Sequence, residues 1–146
     1  MASVVAANFA KFGKRSEDIF SISSESAFPI VKKFRDEIDF VVISNSYSGE
    51  FNGISGLNNL ITTHLGIYDV PSVRVDNASG SGGSSLLVAD SLIASGQAKS
   101  VLVIGTEKMT GFPSKKSTGI IASLLPPEER AEGLSLPSLA AFMARS

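Results

Sequence analysis

The 146-residue chain has no cysteine, no tryptophan and a single histidine, His64. Without cysteine there can be no disulfide, no thiolate metal site and no thiol nucleophile, and one histidine excludes a multi-histidine metal centre. A metal site would need carboxylates alone, and none is expected. Charge of one sign is equally scarce. Thirteen basic against 14 acidic side chains leave a formal net charge of −1, and no run of basic residues exceeds a pair such as Lys32/Lys33 or Lys115/Lys116. An electrostatic footprint for nucleic acid or an anionic membrane is therefore missing. No apolar run approaches the roughly 20 residues that span a bilayer, and the opening MASVVAANFAKF has neither the basic leader nor the long apolar stretch of a secretory signal. The expectation is a soluble, cytoplasmic protein with neither nucleic-acid nor membrane partners.

Apolar material is ample at 43% of residues, enough for the core of one globular domain over residues 1–146. Short β-branched runs alternate with longer stretches of helical spacing, the pattern of an α/β sheet. Ser3–Ala7, Phe40–Ser44, Ser72–Val75 and Ser100–Gly105 read as strands. Their continuous apolar character predicts a mixed, mostly parallel sheet with helices on both faces. Pro29 suits the first turn of a helix carrying Ile30, Val31, Phe34 and Ile38, whereas residues 16–28 are ambiguous. A second helix fits Asn52–Gly66, with Ile54, Leu57, Leu60, Ile61 and Leu65 at helical offsets.

The most informative stretch is VDNASGSGGSSLLVADSLIASG, a tight turn entering a helix from about Gly83 to Ser95. That helix is apolar or small nearly all round, which predicts burial between layers. Residues 111–133 read as an excursion or flap, with Leu124 and Leu125 pinning it down. A last helix begins at Pro137 with Leu139, Phe142 and Met143 on one face.

A strand-to-helix turn presents free N–H groups and the positive end of a helix dipole, so chemistry should lie near Ser79 to Ser85. One reading is a dinucleotide cradle built on Gly80 and Gly82, with Glu107 as the ribose-binding acid. Its third glycine is replaced by Ser85, and the turn follows the third strand rather than the first. A serine hydrolase elbow, G-x-S-x-G, does not occur, and His64 as the only candidate base reads equally as a capping or surface residue. Asp76, Asn77, Ser81 and Ser84 have simple local roles available as turn and cap residues. Asn45, Tyr47 and Ser48 form a polar loop after the second strand, where sites are often lined.

The turn resembles the nucleophile turn of the thiolase superfamily. There a V-x-x-x-C-x-S-G segment leads into a buried helix of small residues, followed by G-x-A-x-x-V-L-V-x-G-x-E-x-M. In the same register stand Val75, Asp76, Asn77, Ala78, Ser79, Gly80, Ser81 and Gly82, then Gly96-Gln97-Ala98, Val101 to Gly105, and Glu107-Lys108-Met109. Phe12-Gly13-Lys14, Ile38 to Val42, and Leu136 to Arg145 extend the likeness, which is greatest to the sterol-carrier-protein-x and archaeal branch. The resemblance implies a thiolase-like half-domain and an acetyl-CoA acetyltransferase-like activity. Acyl transfer would act on coenzyme A thioesters as substrates, with no separate cofactor. It puts Ser79 in the nucleophile position and Met109 near the acyl pocket.

Two departures accompany the match. Ser79 replaces the family's cysteine, and a hydroxyl, unlike a thiol with pKa near ~8.5, stays protonated without a strong base beside it. The family's catalytic histidine, second cysteine and water-holding asparagine belong to a second half that has no counterpart here. The chain alone is therefore expected to be incomplete or inactive as an enzyme. The helix after Ser79 should leave an apolar face, to be covered in a homodimer formed through the Ser72 to Asp76 strand or by a second chain supplying the C-terminal half. The alternatives are a non-catalytic assembly or CoA-binding subunit and a dinucleotide-binding domain.

Overall fold

Three strands, β1 (Phe40–Ser44), β2 (Ser72–Val75) and β3 (Val101–Gly105), form a parallel sheet in the order β2-β1-β3. The computed structural model describes residues 2–145. Val41 pairs with Leu102 and Ile43 with Ile104, so these four side chains share one face of the pleat. They join a core with Ile19, Ala27 and Val31 of α1 (Ile19–Phe34), Leu57 and Ile61 of α3 (Leu57–His64), and Leu65 and Ile67 beyond it. Each fully buried aliphatic side chain there contributes about 1.5–3 kcal/mol. The other face is covered by α4 (Ser81–Ala94), which packs on β1 and β3 and buries Ser81, Ser85 and Ala89, a stripe at four-residue spacing. Central β1 is thus buried on both sides, as its unbroken apolar run predicts, while the edge strands β2 and β3 are only partly covered.

Helix α1 starts ten residues before Pro29. Asp18 caps it, its carboxylate accepting from the Ser21 amide at 2.7 Å, and Ile19, Ser23, Ala27 and Val31 form a buried stripe at four-residue spacing. Pro29 lies inside the helix and cannot donate to the Glu25 carbonyl. Asn8 compensates, its side-chain amide donating to the carbonyls of Glu25 at 3.4 Å and Ser26 at 3.0 Å.

The expected strand Ser3–Ala7 is not formed. Residues 2–12 run as an extended strap tied to α1 by Asn8 and Lys11 and to Asp90 of α4 by the Ala2 amide. Val4 and Val5 are 81% and 78% exposed, because no partner strand meets them. The expected Asn52–Gly66 helix is split: α2 (Ser48–Asn52) ends at Gly53 and α3 begins after Gly56, both glycines at positive φ (66° and 64°).

The chain divides into two compact units, Met1–Lys108 and Met109–Ser146. The second holds α5 (Ser114–Ile121), a 3₁₀ turn at Ala122–Leu124, α6 (Pro127–Ala131) and α7 (Leu136–Met143). The flap is therefore largely helical, and only Leu125 of its leucine pair is buried. α7 begins one residue before Pro137, with a reciprocal capping box between Ser135 and Ser138.

Candidate functional site

β1 connects to β2 on one side of the sheet, and the chain then crosses by way of α4 to β3 on the other, so the carboxyl ends of β1 and β3 flank a topological switch point. Crevices for ligands form at such points. A cleft of about 290 Å³ lies there, lined by Ser44, Asn45, Ser46, Ser81, Gly105, Thr106 and Glu107.

Asn45, 2% exposed, organises the floor. Its amide donates to the Thr106 carbonyl at 2.9 Å and the Glu107 carboxylate at 3.0 Å, while its carbonyl oxygen accepts from the Ser48 amide at 3.0 Å and Arg74 at 3.2 Å. Glu107 also accepts from the backbone amides of Ser46 at 3.0 Å and Tyr47 at 3.1 Å. With three donors engaged, this carboxylate is committed to the β1–α2 loop rather than to a ribose hydroxyl. Burial, with the charges of Asp76 and Glu107 beside it, pushes the Tyr47 hydroxyl above the usual tyrosine range.

The turn between β2 and α4 is held by hydroxyls. Ala78 adopts φ +48°, the one described non-glycine residue at positive φ. Its carbonyl accepts from the Ser81 hydroxyl at 2.7 Å, the Ser81 amide at 3.1 Å and the Ser46 hydroxyl at 3.1 Å, and Ser46 and Ser81 are themselves 2.9 Å apart. Ser81 accepts in turn from the Asn77 amide at 2.8 Å, and the Asn77 side chain donates to Ser84 at 2.8 Å. Asp76 accepts from the Ala78 amide at 3.1 Å. Ser81 and Ser84 therefore brace the turn rather than cap α4, whose N-cap is Gly80 without a side-chain bond. A side chain at Gly80 would be crowded, since a Cβ there would stand 3.0 Å from the Asn77 side-chain nitrogen and 3.2 Å from the Asn77 backbone carbonyl oxygen.

Ser79 lies between the strained Ala78 and Gly80, is exposed, and stands two residues ahead of α4. Among the described residues, the amides of Gly82 and Gly83 in the first turn of α4 meet no acceptor, so an electropositive helix end adjoins Ser79 in the chain. His64 packs its ring against Phe20 at a centroid distance of 5.7 Å and makes no described hydrogen bond to Ser79. Met109 opens the second compact unit and is 36% exposed. Sequence reasoning did not anticipate the bracing roles of Asn45, Ser46 and Glu107. The sequence marked Asn45 as part of a polar loop and Glu107 as a candidate ribose-binding acid within the G-x-E-x-M segment, but contacts between separate loops leave no periodic signal for how they brace the turn. The described residues contain no group of three or more histidine, cysteine, aspartate or glutamate side chains that could hold a metal ion, and no helix long and apolar enough to cross a membrane.

A parallel sheet with a braced turn leading into a small-residue helix makes this an α/β scaffold. The family described as thiolase, N-terminal domain, matches residues 3–146, and the chain belongs to it. The acetyl-CoA acetyltransferases of Methanothermobacter thermautotrophicus and Methanocaldococcus jannaschii are 36% and 38% identical to it over 110 residues, 75% of the chain. The chain spans only 28% of the length of each. A β-ketoacyl-[acyl-carrier-protein] synthase III of Rickettsia akari is 32% identical over 90 residues, 62% of this chain and 28% of its own length. The crystal structure of 3-oxoacyl-[acyl-carrier-protein] synthase III from Aquifex aeolicus VF5 superposes with a TM-score of 0.56 at 26% identity, covering 65% of this chain and 31% of that one.

Proposed function

We propose that this chain is the acyl-accepting N-terminal domain of a thiolase-type acyltransferase, acting on coenzyme A thioesters with no separate cofactor, and that residue 79 is the acceptor position. The observation that carries the reading is the turn itself. An exposed residue follows a strained Ala78 whose carbonyl three donors pin, directly ahead of a helix with unpaired first-turn amides. Such a helix end favours a nucleophile's anionic form and the oxyanion that develops as a thioester carbonyl is attacked. In the transfer, the nucleophile bonds to the acyl carbon, the tetrahedral adduct expels the coenzyme A thiolate, and a proton passes from nucleophile to leaving group. Met109, by its place in the motif, contributes to the acyl pocket.

Ser79 restrains this chemistry, because a hydroxyl needs a base to accept its proton and His64, packed against Phe20, makes no described hydrogen bond to Ser79. The chain alone is therefore inactive or very slow, and the remaining acid–base groups come from residues outside these 146. Edge strand β2, with Val73 36% exposed, and the outer face of α4, with Leu86 and Leu87 at 58% and 68%, are the surfaces for a homodimer or for a second chain carrying the C-terminal half. We place the protein in the cytoplasm. A second reading, a non-catalytic assembly or CoA-binding subunit, is favoured by serine at position 79.

Incubation of the wild-type protein and Ser79→Cys with acetyl-CoA, followed by intact-mass measurement, tests the proposal. A covalent acetyl group on the cysteine variant and none on the wild type is the expected result. Acetylation of neither form, with coenzyme A still bound, leaves the assembly or CoA-binding reading in its place.

A further inference from the structure

We infer that Glu107 is a positioning residue for residue 79, acting across the cleft through Ser46. This rests on reading residue 79 as the acyl-accepting position. The connection is continuous. The Glu107 carboxylate holds the Ser46 and Tyr47 amides at 3.0 and 3.1 Å and the Asn45 side chain at 3.0 Å. The anchored loop sets the Ser46 hydroxyl 3.1 Å from the Ala78 carbonyl and 2.9 Å from the Ser81 hydroxyl. That carbonyl belongs to the peptide joining residue 78 to residue 79, so its orientation determines where residue 79 begins. Ala78 at φ +48° is a strained conformation that relaxes unless its surroundings hold it. Two of the three donors to its carbonyl come from Ser81, at the start of α4, and the third comes from the loop that Glu107 anchors. Without the anchor, the Ala78 carbonyl loses its donor from the β1–α2 loop and residue 79 moves relative to the helix end.

The absence of cysteine supplies the probe, because Ser79→Cys carries a single thiol. Its alkylation rate by iodoacetamide as a function of pH reports the thiol pKa with no substrate present. The ionisable groups on the surrounding elements are Asp76 and Arg74 at the end of β2, Tyr47 and Glu50 at α2, Asp90 of α4, and Glu107 itself with Lys108 after it. Removing a negative charge at position 107 would, by charge alone, lower the thiol pKa. Loss of positioning raises it, because the helix end that favours the thiolate is no longer held beside the sulfur. The two effects have opposite signs.

In the Ser79→Cys background, Glu107→Ala and Ser46→Ala are each expected to raise the thiol pKa by about one unit, cutting the thiolate fraction near neutral pH about tenfold. Glu107→Gln keeps an acceptor for the two backbone amides and should lie closer to the parent. If circular dichroism shows that Glu107→Ala does not fold, Ser46→Ala, which changes no charge, decides. An unchanged or lowered pKa in folded Glu107→Ala or in Ser46→Ala overturns the inference. Because alkylation needs no coenzyme A, failure of acetylation with the Glu107 dependence intact would overturn the acyl-transfer reading alone.

Discussion

Replacing Asn45 by alanine should unfasten the carboxyl ends of all three strands at once. The residue is 2% exposed and its side chain makes four hydrogen bonds, to Thr106, Glu107, Ser48 and Arg74. Ser48 and Thr106 are 2% and 8% exposed, so water does not readily take over the amide and carbonyl that Asn45 serves. Each of the two buried backbone groups left unpaired costs about 1–3 kcal/mol, so the expected loss is about 2–6 kcal/mol, a large share of the ~5–15 kcal/mol typical of a domain. Urea unfolding followed by circular dichroism reads this as a lower midpoint at unchanged slope. Asn45→Asp sharpens the test. It keeps acceptors for Ser48 and Arg74 but sets a carboxylate where an amide now donates to Glu107 at 3.0 Å. Its deficit should therefore shrink as the pH falls and one of the pair takes a proton. A loss below about 1 kcal/mol for Asn45→Ala would refute the view that this network holds the strand ends together.

Ala78→Val should destabilise by about 1–3 kcal/mol, because a β-branched side chain resists positive φ, while Ala78→Gly should be tolerated; thermal unfolding distinguishes them. At the start of α1, hydrogen bonds from Ser21 hold the Asp18 carboxyl below its usual range, and Arg15 holds Glu17 down at about 2. Both folded-state values are depressed, so their stabilisation is present above the unfolded carboxylate values near ~4 and is lost as the pH falls through the folded ones. The melting temperature should fall between about pH 5 and pH 2, and less steeply in Asp18→Asn. On the proposed α4 interface, Leu86→Lys with Leu87→Lys should weaken self-association and lower hydrophobic-dye binding while changing monomer stability by no more than about 0.5 kcal/mol, because both side chains already face outward.

How much of this was legible beforehand depended on whether each feature was local. β1, β2, β3 and α4 announce themselves because a β-branched run and a small-residue helix are patterns of neighbours. Ser3–Ala7 has the same β-branched character, but a strand also needs a partner, and none is paired with it. α1 was half visible. Its stripe of Ile19, Ser23, Ala27 and Val31 uses small residues that score as polar, and the better signal was Asp18 followed by positions four apart. The turn at residues 76–84 stood out from its glycines and serines. What stiffens it did not, since Ser46 lies 32 residues from Ala78 in sequence and Glu107, which anchors it, stands in another loop again.

The most direct test of residue 79 as the acyl acceptor is a cysteine scan of the turn. Ser79→Cys, Ser81→Cys and Ser84→Cys are each exposed to acetyl-CoA, and the modified residue is located by peptide mass. Acetyl transfer is expected in the Ser79→Cys variant alone, since Ser79 is exposed ahead of the helix whereas Ser81 is 5% exposed and bound into the brace. Equal labelling of all three variants, or labelling of none, would contradict it.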